Sequence, residues 1–223
     1  MKQSDPSVEP RIPLNRERVF RAAVALADER GIESLTMRAL GEELGVEAMS
    51  LYYYVANKDE LLDGMVDLVY GEIELPSDQA DWKTAIRRVE MSAREALSRH
   101  RWAITLMETR TRPGPANLRH HDSVIGRLRA AGFSIKQAIH AFSILDSYVS
   151  GFALQELTMP FDTSQELTEA AESILAQFPA AEYPHLAETI TEHVTKPGYD
   201  YADEFEVGLD LILDGIERLR DTT

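Results

Sequence analysis

The stretch Thr36 to Lys58, TMRALGEELGVEAMSLYYYVANK, decides how this chain is read. Its apolar residues recur at helical spacing on either side of a glycine, so that Leu40, Leu44, Val46 and Leu51 can share an inward face. Gly41 is small where two short helices would cross closely. Gly45 can take the positive φ that a tight inter-helix turn needs, and Thr36 can cap the first helix. Two short helices around a glycine turn make the pattern of a helix-turn-helix. A helical hairpin buried in a core would show the same spacing. The three tyrosines 52–54 argue against that, because three neighbours on a helix span roughly 200° of its circumference and cannot all face inward. Tyr54 is assigned inward with Leu51, leaving Tyr52 and Tyr53 outside.

Helical periodicity extends in both directions from this stretch. Upstream, Val19, Ala22, Ala23, Leu26 and Ala27 follow the i, i+3, i+4 rule, and Gly31 stops the helix. Downstream, Asn57 caps a helix with Asp59 and Glu60 in its first turn, where the helix dipole favours acid. That helix carries Leu61, Leu62, Met65, Val66, Val69 and Ile73 and ends at Pro76. Further helices are expected around Trp82 to Leu97, Trp102 to Met107, Val124 to Leu128, 135–157 and 164–177, with Ile135, Ala138, Ile139, Phe142, Leu145, Val149 and Phe152 on one face of the 135–157 helix. One short helix is expected in the proline-broken stretch Pro179 to Gly198, and a last one carries Phe205, Leu209, Ile212, Ile216 and Leu219. No segment alternates as a strand would and no repeat is present. The expected fold is all-α: residues 1–13 as a disordered arm, 14–60 as a three-helix helix-turn-helix domain, and 61–223 as a larger helical domain.

Composition narrows the class. The chain has 223 residues and no cysteine, which removes disulfides, thiolate metal sites and cysteine nucleophiles together. The longest uninterrupted apolar run is the six residues Ala22 to Ala27, far short of the ~20 needed to span a bilayer. The polar, proline-containing N-terminus has no apolar core of a secretion signal. The expectation is a cytoplasmic protein without a membrane partner. No phosphate loop, zinc-protease motif or nucleophile elbow is present, and the six histidines have no ligand spacing. No catalytic residue, metal or cofactor is expected.

The net charge of −15 is unevenly spread: Lys+Arg against Asp+Glu number 8 and 11 in residues 1–60, 11 and 10 in 61–131, and 4 and 17 in 132–223. Screening over about 8 Å at physiological salt lets a polyanion bind far from the acidic end. If the motif reads DNA, Glu47, Ala48, Met49 and Ser50 lie on the helix that enters the major groove. Ala48 and Met49 suit thymine methyls, and Ser50 suits a base or a phosphate. Tyrosines and Lys58 suit phosphate oxygens. Arg38 is the candidate for a bidentate contact to guanine.

The same residues carry a family resemblance. Leu35-Thr36-x-Arg38, Leu40, Leu44-Gly45-Val46-Glu47, Leu51-Tyr52, Val55, Asn57-Lys58 and Leu61-Leu62-Asp63 resemble the DNA-binding domain of the tetracycline-repressor (TetR) family. Thr111-Arg112-Pro113, Gly132-Phe133-Ser134 and Gly208-Leu209 look like a tetracycline-repressor-type C-terminal domain. The resemblance implies an all-helical homodimer, with Arg38, Glu47, Ala48, Met49 and Ser50 on the bases of a pseudo-palindromic double-stranded operator. It places Thr36, Tyr52, Tyr53, Tyr54 and Lys58 on or near the phosphates. It implies repression relieved by a small effector. An activator, or a helical interaction module that never touches DNA, would use the same fold.

For the dimer, the resemblance points to the 135–157 helix and the last helix. Opposite the apolar face of the first lie the small residues Ser143, Ser147, Ser150 and Gly151 with Tyr148 nearby, and the last helix has the same character at Gly208, Leu211 and Gly215, spacings that let another helix approach closely. Packing within one chain would use the same faces. For the effector, the family expectation is an apolar pocket from Trp102, Leu106, Met107, Thr111, Val124, Phe142, Asp146, Phe152 and Gln155. The tetracycline–magnesium site does not carry over. Its metal-binding histidine falls near Met107 or Glu108, its pocket glutamine near Val124 and its glutamate at Gln155, and Thr111 alone matches. The effector is therefore expected not to be tetracycline. Asp146 and Glu156 follow the apolar face of their helix, either as anchors in a pocket or as halves of internal ion pairs. Arg99, Arg101, Arg110, Arg112 and Arg119 form a basic cluster that suits an anionic effector, the acidic C-terminal helices or solvent.

Overall fold

The computed structural model describes residues 13–161 and 163–220, so the expected arm lies outside the described residues except for Pro13. Eleven α-helices and no strand are found among the described residues: α1 Arg16–Arg30, α2 Met37–Leu44, α3 Ala48–Leu51, α4 Lys58–Glu72, α5 Trp82–Arg99, α6 Ala103–Thr109, α7 Pro115–Ala130, α8 Ile135–Thr158, α9 Ser164–Gln177, α10 Pro184–Thr189 and α11 Asp203–Arg220. A π-helical turn, Ile190–Val194, extends α10. None of these helices is long and apolar enough to cross a membrane. The fold is all-α, as the periodicity required.

The chain divides into two compact units: the described part of Met1–Glu72 with Arg99–Leu118, and Ile73–Ser98 with Arg119–Thr223 up to Arg220. In the first, α1 packs on α2 and α4, α2 on α3, and α6 on α4. Its core is Val19, Ala23, Leu26, Leu35, Leu40, Leu51, Val55, Leu61, Met65, Val69 and Ile104, all buried. The segment 99–118 therefore packs on the helix-turn-helix helices, although sequence order alone placed it in the C-terminal domain.

In the second unit α8 packs on α11. Ile86, Val89, Leu128, Phe133, Leu145, Val149, Phe152, Phe205, Leu209 and Leu213 fill its interior. The acid of α11 is matched from α5: Lys83 pairs with Asp214, and Arg87 reaches Asp210 and Glu206 at 2.7 Å each. One expectation is corrected. Ile135 and Ile139 are exposed, and the buried face of α8 runs instead through Ala138, Ala141, Leu145, Val149 and Phe152. Small side chains let the neighbouring helices approach, and the two isoleucines sit off that line.

Candidate nucleic-acid interface and effector region

The helix-turn-helix is built as its glycines demand. Thr36 accepts from Ala39 N at 3.0 Å and caps α2. Gly45 ends α2 in the left-handed region at φ 68°. A Cβ on Gly41 would stand 2.9 Å from the Val46 carbonyl oxygen, closer than real side chains come. Only glycine lets α2 and α3 meet there. The second helix is shorter than expected. Only Ala48–Leu51 is α-helical, and Tyr52, Tyr53 and Tyr54 follow in a turn tightened by i→i+3 bonds to Met49, Ser50 and Leu51. Leu51 and Val55 anchor both ends of that turn in the core.

Met49 is 75% exposed and Tyr53 87%, and Tyr52, Ser50, Glu47, Thr36 and Lys58 are also exposed. Ala48 is half-buried. Tyr54 is half-buried with its ring edge-on to Tyr53, the inward role assigned to it. Arg38 extends into solvent and donates to Glu42 at 2.9 Å. α4 begins shortly after these residues. Asn57 accepts from Glu60 N at 2.8 Å, while Glu60 accepts from Ala56 N at 2.6 Å and pairs with Arg16 of α1 at 2.6 Å. The Ala56 amide and the Arg16 guanidinium hold the Glu60 carboxyl below its ordinary pKa.

The same unit holds a polar clamp that the sequence did not reveal. His100 is buried, with Nδ1 2.9 Å from Asp28 Oδ1 of α1 and Nε2 3.1 Å from Glu72 at the end of α4. Trp102 Nε1 donates to the same Asp28 carboxylate at 2.6 Å. Trp102 is thus committed to the first unit. Arg110 reaches Asp63 at 2.5 Å and Asp59 at 3.2 Å, and Arg99 pairs with Glu72 at 2.9 Å. Burial works against ionisation of Glu72, but Arg99 and His100 outweigh it and lower its pKa. Two of the five clustered arginines, Arg99 and Arg110, are therefore neutralised by nearby acids of the same unit. A polar cleft of about 350 Å³ lies beside them, lined by Asn57, Asp59, Asp63, Thr109, Arg110, Thr111 and Arg112.

The residues expected to form one effector pocket divide between the units. Trp102, Leu106, Met107 and Thr111 belong to the first, and Val124, Phe142, Asp146, Phe152 and Gln155 to the second. Asp146 is exposed in the single chain, which corrects its expected burial. Glu156 is an ion-pair partner, bound by Arg94 through Nη2 at 2.5 Å and Nε at 3.0 Å, with Arg94 also over the Phe152 and Phe205 rings. Gln155 accepts from Tyr201 at 2.8 Å. The buried carboxylate of this region is Glu90, 6% exposed. It lies on the stripe Ile86, Val89, Glu90, Ala93, Leu97, where a charge among apolar residues was the available clue. Burial and the Asp146 carboxylate push its pKa up to about 8. His120, also buried, is pushed down to about 4 by burial and by His121.

Of the expected dimer residues, Ser143, Ser147, Gly151 and Leu211 are exposed, and Gly215 is half-buried. Tyr148 and Gly208 meet within the chain. The Tyr148 hydroxyl donates to Phe205 O at 3.0 Å, and a Cβ on Gly208 would overlap that hydroxyl. Among the described residues no group of three or more acids and histidines is placed to hold a metal.

A glycine-hinged helix pair with an outward arginine, methionine and tyrosines, joined to a larger helical body, defines a helix-turn-helix regulator. Residues 19–65 match the bacterial regulatory proteins of the tetR family, and residues 75–220 match the tetracyclin repressor-like C-terminal domain. The chain belongs to the TetR family of transcriptional regulators. It is 36% identical to the transcriptional repressor DrrR1 of Streptomyces coeruleorubidus, over 96% of this chain and 81% of that one. It is 31% identical to the class C tetracycline repressor protein of Escherichia coli, over 94% of each. Among solved structures, ActR of Streptomyces coelicolor in complex with actinorhodin superposes with a TM-score of 0.77 at 27% identity, covering 94% of this chain and 99% of that one. These relatives are regulators, a class that acts by binding DNA rather than by catalysis.

Proposed function

We propose that the protein is a cytoplasmic repressor that binds a pseudo-palindromic operator as a homodimer and is released by a small molecule other than tetracycline. The observation that carries the DNA reading is the Thr36–Lys58 surface. Gly41 lets the two helices meet closely, Arg38, Met49, Ser50 and Tyr53 are exposed, and Leu40 and Leu51 are buried, an arrangement that supports a DNA-facing surface. Those side chains suit base edges, and Tyr52, Lys58 and Thr36 suit the flanking phosphates.

The dimer is supported by apolar side chains left in solvent on α8 and α11: Ile139, Ile144 and Leu154, and Val207 and Leu211, are each at least 45% exposed. Two-fold pairing of those faces would bury them and would dictate an inverted-repeat operator. The effector reading is supported by ActR, crystallised with actinorhodin, and by the apolar residues Val124, Phe142 and Phe152. Release requires the effector to prefer one conformation. Coupling is typically ~1–3 kcal/mol, and a full 1:99 to 99:1 switch takes ~5.5 kcal/mol. Within the first unit, Arg110 grips Asp59 and Asp63 at the start of α4. A shift of that segment would re-aim the helix that follows the reading surface.

The test is selection of bound sequences from random duplex DNA at near-physiological salt, followed by a reporter driven through the selected site. One inverted repeat that lowers reporter output is the expected result. A single, non-repeated site would remove the dimer, raised output would make the protein an activator, and no enrichment would remove the DNA reading.

A further inference from the structure

Most of the rings and charges around Phe152 of α8 stand on helices. Arg94 of α5 lies over its ring at 5.4 Å, Phe205 of α11 meets it edge-on at 5.1 Å, and Tyr148 of α8 is tilted to it at 6.0 Å. Tyr201 differs, because it comes from the turn before α11. Its ring stacks on Phe152 at 5.0 Å with 18° between the ring planes. Its hydroxyl donates to Gln155 Oε1 at 2.8 Å. All of these residues belong to the second unit.

The chain around Tyr201 otherwise bonds to its own neighbours. Thr195 donates to Ile190 O, Lys196 pairs with Glu192, Tyr199 N donates to Lys196 O and Ala202 N to Asp200. Lys196, Pro197, Gly198 and Asp200 are exposed, and Gly198 turns the chain at φ 90°. Tyr201 ties this segment to α8, 46 positions away in sequence. The tie is one ring stack and one neutral hydrogen bond at a half-buried residue, which a molecule offering the same two contacts can replace. Burial and the carboxylates of Glu156 and Glu204 push the Tyr201 pKa up, so negative charge is disfavoured at its hydroxyl.

We propose that Phe152 and Gln155 form an effector subsite for an uncharged planar phenol, and that Tyr201 is a strap holding the place such a molecule takes. This rests on the effector-responsive reading above and names its ligand class. The incoming ring stacks on Phe152 and its hydroxyl donates to the Gln155 amide oxygen, so α8 keeps both contacts. What changes is the segment 195–202, which loses its tie to α8. An aryl ether brings no proton for the Gln155 oxygen, and an aromatic carboxylate is repelled by Glu156 and Glu204.

The probes are 2-naphthol, 2-methoxynaphthalene, which lacks the donor, and 2-naphthoate, which adds the charge. Binding to the full-length protein without DNA is read by calorimetry and naphthol fluorescence. Wild type should bind 2-naphthol saturably, about tenfold tighter than either relative, the worth of one hydrogen bond. That preference should vanish over the ether in Gln155→Leu. Tyr201→Phe, which keeps the ring and gives up the hydrogen bond, should tighten naphthol binding about threefold. Tyr183→Phe, at an exposed tyrosine whose ring meets Phe178, should change nothing. Thermal melts of each variant establish that it is folded. Hydrogen exchange separates a displaced strap from a bystander: saturation with naphthol should quicken exchange at residues 199–202, where a ligand that merely settles on them would slow it.

No binding by wild type, equal binding of naphthol and ether, a preference that survives Gln155→Leu, or unchanged or slower exchange at 199–202 would overturn the proposal. Because no DNA is present, these outcomes are independent of whether the helix-turn-helix finds an operator. A naphthol that binds through Gln155 and frees the strap but leaves an operator complex intact would confirm the site and contradict the release mechanism instead.

Discussion

Glu42 Oε1 accepts a hydrogen bond from Arg38 Nε at 2.9 Å, one turn along α2, while the arginine side chain stays 87% exposed. The pair partly cancels the charge of a guanidinium on the proposed reading surface. Exposed i, i+4 pairs contribute little to stability, so the acid's main effect falls on DNA. Replacing Glu42 with alanine should leave the melting temperature nearly unchanged. It should tighten binding to any duplex by roughly 0.5–1 kcal/mol and steepen the salt dependence. Anisotropy titrations over a salt series measure both. Weaker binding would mean that Glu42 positions Arg38 rather than competing for it.

Gly41 is the tightest point of the motif, where an added Cβ meets backbone at 2.9 Å from Val46 O and 3.1 Å from Ala48 N. Backbone cannot rotate away as a side chain can. Gly41→Ala should therefore destabilise by about 1–3 kcal/mol, the usual cost of overpacking, and weaken DNA binding further by shifting α3. Chemical denaturation and operator titration check this, and Gly126→Ala, where the Cβ meets open space, is the control. An undisturbed Gly41→Ala protein would show that the helices can separate freely.

Much of this could be read in the residues. The Gly41 and Gly45 roles, the Thr36 and Asn57 caps and the inward Tyr54 each follow from a local rule, because capping, turn geometry and helical period act within a few residues. The buried face of α8 was misjudged at Ile135 and Ile139 because that helix is apolar on several sides, and periodicity does not tell which side the chain covers itself. The 99–118 segment and the Asp28–His100–Glu72 contacts span more than 25 residues of sequence, where no local rule reaches. Asp146 looked buried and is not. Glu90 was visible only as a charge on an apolar stripe.

The His100 clamp makes its own prediction. Both ring nitrogens face carboxylates, so both contacts are hydrogen bonds only when the imidazole carries two protons. His100→Gln can keep at most part of this and leaves the Asp28 and Glu72 carboxylates less well compensated. It should cost roughly 1–3 kcal/mol and loosen the segment 99–110. Hydrogen exchange at residues 103–109 would rise if the clamp holds α6, and unchanged exchange there would contradict it.

Two buried groups give stability opposite dependences on pH. Glu90 has a raised pKa of about 8, so the folded state binds its proton more tightly than the unfolded state. Its stabilising effect is present at low pH and is lost as pH rises from about 4.5 through about 8. His120 has a lowered pKa of about 4, so the unfolded chain takes up its proton first, and stability falls as pH drops from about 6.5 through about 4. Glu90→Gln should raise stability by roughly 1–4 kcal/mol above pH 8, with less effect near pH 5. His120→Gln should flatten the acid limb. Melting curves from about pH 4 to about pH 9 test both signs, and parallel curves for wild type and variants would contradict the two burial-driven shifts.

The Thr36–Lys58 surface is proposed to read an operator through Arg38. The most direct measurement is a parallel selection from random duplex DNA with wild type and Arg38→Ala, scored base by base at one stated salt. One inverted repeat is expected for wild type, with a guanine in each half-site. In the variant that position alone relaxes, at a cost of about 1–3 kcal/mol. An unchanged base preference in Arg38→Ala, or enrichment of no sequence by either protein, would contradict it.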